Sequence, residues 1–137
     1  MRPNTRLWTV QGLLAALFLF AGISKLIMPA AALEAQAHLP AAFLKFIGIC
    51  ETLGAIGLIL PELTKIRRDL TPLAAAGLVI IMTGATVISA IQGPVAGAIV
   101  PAVVGLLAAY VVRGRWTSLQ PQRQPHAVAP TVLRRAA

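Results

Sequence analysis

Four long apolar runs alternate with short polar breaks along the chain, over about 7–27, 41–60, 70–91 and 94–112. Each run is roughly 20 residues long, which at about 1.5 Å of helical rise per residue matches a hydrocarbon core of about 30 Å. The pattern predicts an all-α chain, a four-helix transmembrane bundle with antiparallel, up-and-down order, within a membrane domain covering residues 1–115. The first break is bracketed by Pro29 and Pro40 and contains "AAALEAQA", a strong helix-forming stretch that predicts a short helix at the outer surface. The second, "PELTKIRRDLTP", has mixed charge, and Pro72 falls in the first turn of the third span, where its missing N–H costs little. The third is little more than Gln92, Gly93 and Pro94, so spans three and four must form a hairpin. After Trp116 the sequence loses apolar periodicity and gains prolines, which predicts a disordered tail over 116–137 on the cytoplasmic side.

Composition agrees with the pattern. At 58% hydrophobic and 12% charged residues, with a mean hydropathy of +0.81, the chain lies outside the range of ordinary soluble domains. A net charge of +8 raises the question of nucleic acid, and the positions of the charges answer it. Ten of the twelve Lys and Arg residues fall before the first span, between the second and third, or after the fourth. Only Lys25 and Lys45 flank the first break. With four spans the ten share one face, and the positive-inside rule makes that face cytoplasmic in a multi-pass protein of the cell membrane. Anionic lipid headgroups would add to the attraction. No aromatic platform or reading helix accompanies the arginines, so no nucleic-acid partner is expected. Arg2 and Arg6 before an apolar run resemble a secretion signal. The run exceeds a typical signal core and three more spans follow, which predicts a retained first helix. One cysteine, Cys50, excludes an intramolecular disulfide and reads as a small packing residue.

Within the second span, "FLKFIGICETLGAIGLIL" carries a lone carboxylate, Glu51. A charge at mid-span costs roughly 3 kcal/mol on the insertion scale, and each Leu, Ile or Phe returns about 0.3–0.6. A partner would help, and helix geometry nominates Lys25 over Lys45. Side chains tilt toward their own N-terminus, so Lys25 leans into the bilayer while Glu51, on a helix of opposite direction, leans back toward it. Their starting depths differ by about 10 Å, a gap largely covered by the two side chains. Lys45 leans the other way and snorkels to the interface. Gln11, Thr83, Thr86 and Ser89 are further polar groups within the spans and are expected to line the same pocket. Such a pair either locks two helices, forms part of a ligand pocket, or serves as a proton-coupled transport carboxylate.

Small residues mark where helices would touch. Gly48, Glu51, Gly54 and Gly57 follow at intervals of three in the second span, and Gly93, Gly97, Pro101, Gly105 and Ala109 at intervals of four in the fourth. Both stripes are expected to admit a neighbouring backbone, and Pro101 to kink its helix. The ridge in the fourth span serves a homo-oligomer as readily as the monomer's own packing.

At "LFLFAGISKL" with Gly22 and Lys25, "IGICETLGAIGLILP" with Gly48, Glu51, Gly54, Gly57 and Pro61, and "LTPLAAAGLVIIMTGA" with Pro72, Gly77 and Met82, the chain resembles the DoxX-like family of small bacterial four-helix membrane proteins. The likeness covers roughly Leu7 to Arg115. It implies a four-span bundle and, through relatives linked to quinone-dependent sulfur oxidation or to redox-defence complexes, a membrane oxidoreductase partner. Family members often carry a histidine near the end of the third span. Here that stretch reads "VISAIQG", so no role of that histidine transfers.

Catalytic chemistry is not foreseen in these residues. His38 and His126 lie outside every span, which disfavours haem. A single cysteine disfavours dithiol exchange. No phosphate loop or metal cluster is apparent, so no catalytic residue, cofactor or metal is assigned. The leading expectation is a non-catalytic integral membrane protein, either an accessory subunit of a redox complex or a binder of a small hydrophobic molecule such as a quinone or lipid. The rival is a small proton-coupled transporter using Glu51, although aromatic residues for a cation cage are few.

Overall fold

The computed structural model describes residues 3–120. Five helices follow one another: α1 (Pro3–Ile27), α2 (Ala30–Ala37), α3 (Ala41–Thr64), α4 (Leu70–Gln92) and α5 (Ala96–Leu119). Four of them, α1, α3, α4 and α5, are long and apolar enough to cross a membrane. In hydrocarbon no water can satisfy a backbone N–H or C=O, and a helix satisfies both internally, so apolar runs of this length become helices.

Contacts between neighbours fix their directions. Gln11 of α1 meets Leu58 of α3 while Lys25 meets Glu51, so the two helices run antiparallel. A Cβ built on Gly57 would meet Ala74, and one on Gly54 would meet Leu78, which reverses α4 against α3. A Cβ on Gly105 would meet Met82, and one on Gly114 would meet Leu7, so α5 reverses again and closes back on α1.

Core positions recur in alternating steps of four and three: Leu7, Gln11, Leu14 and Phe18 in α1; Leu44, Gly48, Glu51, Ala55 and Leu58 in α3; Thr71, Ala75, Leu78 and Met82 in α4; Val104, Ala108, Val111 and Arg115 in α5. This is the seam spacing of helices packed about 20° from antiparallel. Leu13, Phe20, Leu53, Ile80 and Leu106 face outward instead, an apolar surface suited to lipid. One polar residue in each spanning helix takes a seam position, and Gln11, Glu51, Thr71 and Arg115 are the buried polar side chains of the described residues.

Helices and apolar runs do not end together. α1 begins at Pro3, α3 runs through Pro61 to Thr64, and α5 starts at Ala96, passes Pro101 and ends at Leu119. Hydropathy marks the edge of the hydrocarbon, whereas helical hydrogen bonding continues into the headgroup region. The start of the expected tail, through Leu119, is therefore helical; residues 121–137, with His126, lie outside the described residues. The short helix α2 lies against α3 with Leu33 buried, and Glu34 Oε1 accepts the N–H of Ala41, at 2.8 Å, an otherwise free donor in the first turn of α3. His38 is exposed, ends α2 in the left-handed region at φ 52°, and donates its N–H to the Glu34 carbonyl.

Candidate functional site: two buried polar clusters

The first cluster joins α1 to α3. Lys25 Nζ donates to Glu51 Oε2 at 2.7 Å, with the glutamate side chain 3% exposed and the lysine 27%. Lys25 stands in the last turn of α1, where a cation also complements the helix dipole. Glu51 stands one seam step beyond Gly48, where α1 and α3 are in tight contact. A Cβ there would lie 2.9 Å from the Gly22 carbonyl oxygen and 3.0 Å from Lys25 Cβ. The facing Gly22 is equally tight, with the Gly48 carbonyl 2.7 Å from its own would-be Cβ. Two glycines back to back thus bring the backbones close enough for lysine and glutamate to meet directly.

The second cluster lies at the opposite end of the bundle, where the basic residues gather. Arg115 Nε donates to Gln11 Oε1 at 2.8 Å and Nη1 donates to Glu62 Oε2 at 3.2 Å. Gln11 Nε2 in turn donates to the Leu58 carbonyl. The guanidinium lies 5.2 Å from the centre of the Trp8 ring, within cation–π range. Three helices, α1, α3 and α5, are tied by this one side chain. Arg115 Nη2 and the Thr71 hydroxyl are buried at the same end with no hydrogen-bond partner among the described residues. In the sequence Arg115 reads as one cation among the ten that share one face. Its signal is the four-three spacing Val104, Ala108, Val111, Arg115, which carries the seam of α5 onto the arginine.

The structure therefore separates the polar residues expected to share one pocket. Gln11 lies fourteen residues before Lys25 on one helix, about 21 Å along its axis, and serves Arg115 instead. Thr83 and Thr86 turn their hydroxyls back on their own helix, donating to the Val79 and Met82 carbonyls at 2.8 and 2.7 Å. Ser89 is half-buried near the end of α4. None of these four is hydrogen-bonded to Glu51 or Lys25 among the described residues. Polarity within a span shows that a partner is needed but carries no information on depth or facing.

The glycine stripes also divide. Steps of three fall about 60° short of a full helical turn, so a stripe at that interval winds around the helix. Gly48 and Glu51 accordingly face α1, whereas Gly54 and Gly57 face Leu78 and Ala74 of α4. Steps of four overshoot by about 40°. In α5 only part of the ridge touches a neighbour within the chain: Gly105 packs with its would-be Cβ 3.1 Å from Met82 Cβ, whereas a Cβ on Gly97 would meet nothing within 4 Å among the described residues.

Between α3 and α4 runs a groove of about 650 Å³, larger than the hollows beside α4 and α5 (about 410 Å³) and beside α1 and α3 (about 320 Å³). Its walls include Gly54, Gly57, Ala74 and Gly77, with Cys50 toward one end. Cys50 is half-buried there rather than packed in the core. Among the described residues no three His, Cys, Asp or Glu side chains stand together as a metal site.

Four apolar spanning helices, a polar residue in each seam and ion-paired charges inside define a small multi-pass integral membrane protein. Residues 9–111 match the family model described as the DoxX-like family, and the chain belongs to that family. No curated protein and no solved structure matches the chain.

Proposed function

We propose that this DoxX-like protein is a non-catalytic membrane component that holds a small hydrophobic molecule, a lipid or a quinone, at the lipid-facing side of its bundle. One observation carries this reading. The buried charges are engaged with one another, Glu51 with Lys25 and Arg115 with Glu62, while the α3–α4 groove is walled by apolar side chains and glycines. A molecule recognised there is recognised by shape and apolar contact. In this reading the Lys25–Glu51 pair is the brace that holds α1 against α3.

The protein sits in the cell membrane with its N-terminus, the α3–α4 turn and its C-terminus in the cytoplasm, as the distribution of Lys and Arg favours. The link of some relatives to membrane oxidoreductases makes such a complex the first partner to seek, with this chain as an accessory subunit. A homo-oligomer is the second.

Native mass spectrometry of the protein extracted from its own membrane tests the proposal, with Glu51→Gln alongside. A retained hydrophobic molecule or a copurifying oxidoreductase supports it; neither, from gently solubilised membranes, counts against it. Proton-coupled uptake by the reconstituted protein that disappears in Glu51→Gln would replace it with the transporter reading, for which the burial of Glu51 is the favouring observation.

A further inference from the structure

We propose that the α3–α4 groove seats one acyl chain of an anionic phospholipid, whose phosphate rests on Lys65, Arg67 and Arg68 of the turn joining the two helices. The inference rests on the hydrophobic-ligand reading above and names the ligand class and what selects it.

Length is the first support. The groove is lined along α3 from Cys50 to Pro61 and along α4 from Leu70 to Ile81. Eleven helical steps on either wall cover about 16 Å, against about 15 Å for one leaflet's share of the hydrocarbon core. Chemistry is the second. Apart from the Cys50 thiol, no side chain lining the groove can form a hydrogen bond, so a polar headgroup gains nothing inside it and an acyl chain loses nothing.

Charge is the third. The walls end at Leu60, Pro61 and Leu70, and the turn just beyond them carries Lys65, Arg67 and Arg68. Lys65 and Arg67 are exposed, and both are held in the left-handed region at φ 59° and 46°. For residues other than glycine that conformation is uncommon, and it makes the turn short. The turn that carries these three cations thus adjoins one end of an apolar groove. Asp69 and Glu62 are the acids nearest in sequence, and Glu62 is already engaged by Arg115. A lipid with a net negative headgroup satisfies both ends of this arrangement, chain in the groove and phosphate at the turn. A zwitterionic lipid satisfies only the first.

The test uses the full chain in detergent, offered phosphatidylglycerol or phosphatidylcholine of identical acyl chains, with bound lipid counted by native mass spectrometry. Phosphatidylglycerol should be retained about tenfold over phosphatidylcholine at low salt, taking about 1 kcal/mol per well-placed cation and allowing for incomplete contact. Arg67→Asn with Arg68→Gln should bring the two lipids level, asparagine being chosen because it tolerates the left-handed turn. Gly77→Leu should reduce retention of both lipids. Gly77 lines the groove and a Cβ there meets nothing within 4 Å, so a side chain can be added at that position without displacing a neighbour at its Cβ. As a readout independent of retention, the unfolding midpoint of the native chain should rise more with phosphatidylglycerol than with phosphatidylcholine, and the Arg67→Asn, Arg68→Gln variant should lose that difference.

Equal retention of the two lipids by the native chain overturns the inference, as does phosphatidylglycerol binding that survives Gly77→Leu. A dimer that excludes lipid and is broken by Gly77→Leu overturns it too, in favour of a second copy in the groove. If another hydrophobic molecule is held without headgroup selectivity, only this inference fails. If nothing hydrophobic is held from native membranes, the parent reading fails with it.

Discussion

Glu51 and Lys25 form a closed pair in a medium that solvates neither charge well. Removing one partner strands the other, which in buried pairs costs about 3–5 kcal/mol, whereas replacing both with apolar groups of similar size is often neutral. Lys25→Met and Glu51→Leu should therefore each destabilise the protein by about 3 kcal/mol in detergent unfolding, and the double variant by much less. A double variant no more stable than either single one would show that the pair is not coupled. The pair was legible in the sequence because helix direction and side-chain tilt alone decide which lysine can reach a mid-span acid. Arg115 was not legible in that way. Its fork meets a glutamine from α1 and a glutamate from α3, brought together by packing across the bundle. A lysine has a single ammonium and cannot reproduce two bonds in fixed planar directions or the stacking on Trp8. Arg115→Lys should thus lower thermal stability nearly as far as Arg115→Met, by about 2–4 kcal/mol, and unfolding of the two variants side by side reads the difference.

Among the helices, α1 and α3 approach backbone to backbone at Gly22 and Gly48. The atoms that a Cβ would meet there include backbone oxygens, which cannot rotate away as the end of a side chain can. Gly22→Ala or Gly48→Ala must push the helices apart, at about 1–3 kcal/mol, and should also lengthen the Lys25–Glu51 contact. Gly97→Ala, with open space where the methyl would go, should be neutral or slightly stabilising, since alanine is the better helix former. Thermal unfolding of the three variants checks the contrast. Sequence spacing located the glycines but could not distinguish Gly48 from Gly97. Intervals of three or four drift around a helix, and only the neighbours' positions say where along the drift a contact falls.

Across the whole molecule, charge and aromatic placement agree on one end. Trp8 and Trp116 are both substantially exposed near the Arg115 end, as expected of side chains at a membrane interface. With that end in the cytoplasm, a cysteine introduced at Ile66 in a Cys50→Ala background should react with an impermeant maleimide only after the membrane is opened. One at Gln36 in α2 should react in intact cells. Reversal of that result would invert the proposed topology.

Span number, helical class, alternating direction and the need of Glu51 for a partner were determined by the sequence itself. They depend on quantities local to a segment: its length against the bilayer, its apolar content and the tilt of its side chains. Tertiary structure alone decided which polar residues share a cluster, which glycines are contacts, and that α3 and α4 leave a groove between them. Those outcomes depend on the rotation and depth of each helix relative to its neighbours, and that relation exists only once all four spans pack around the same core.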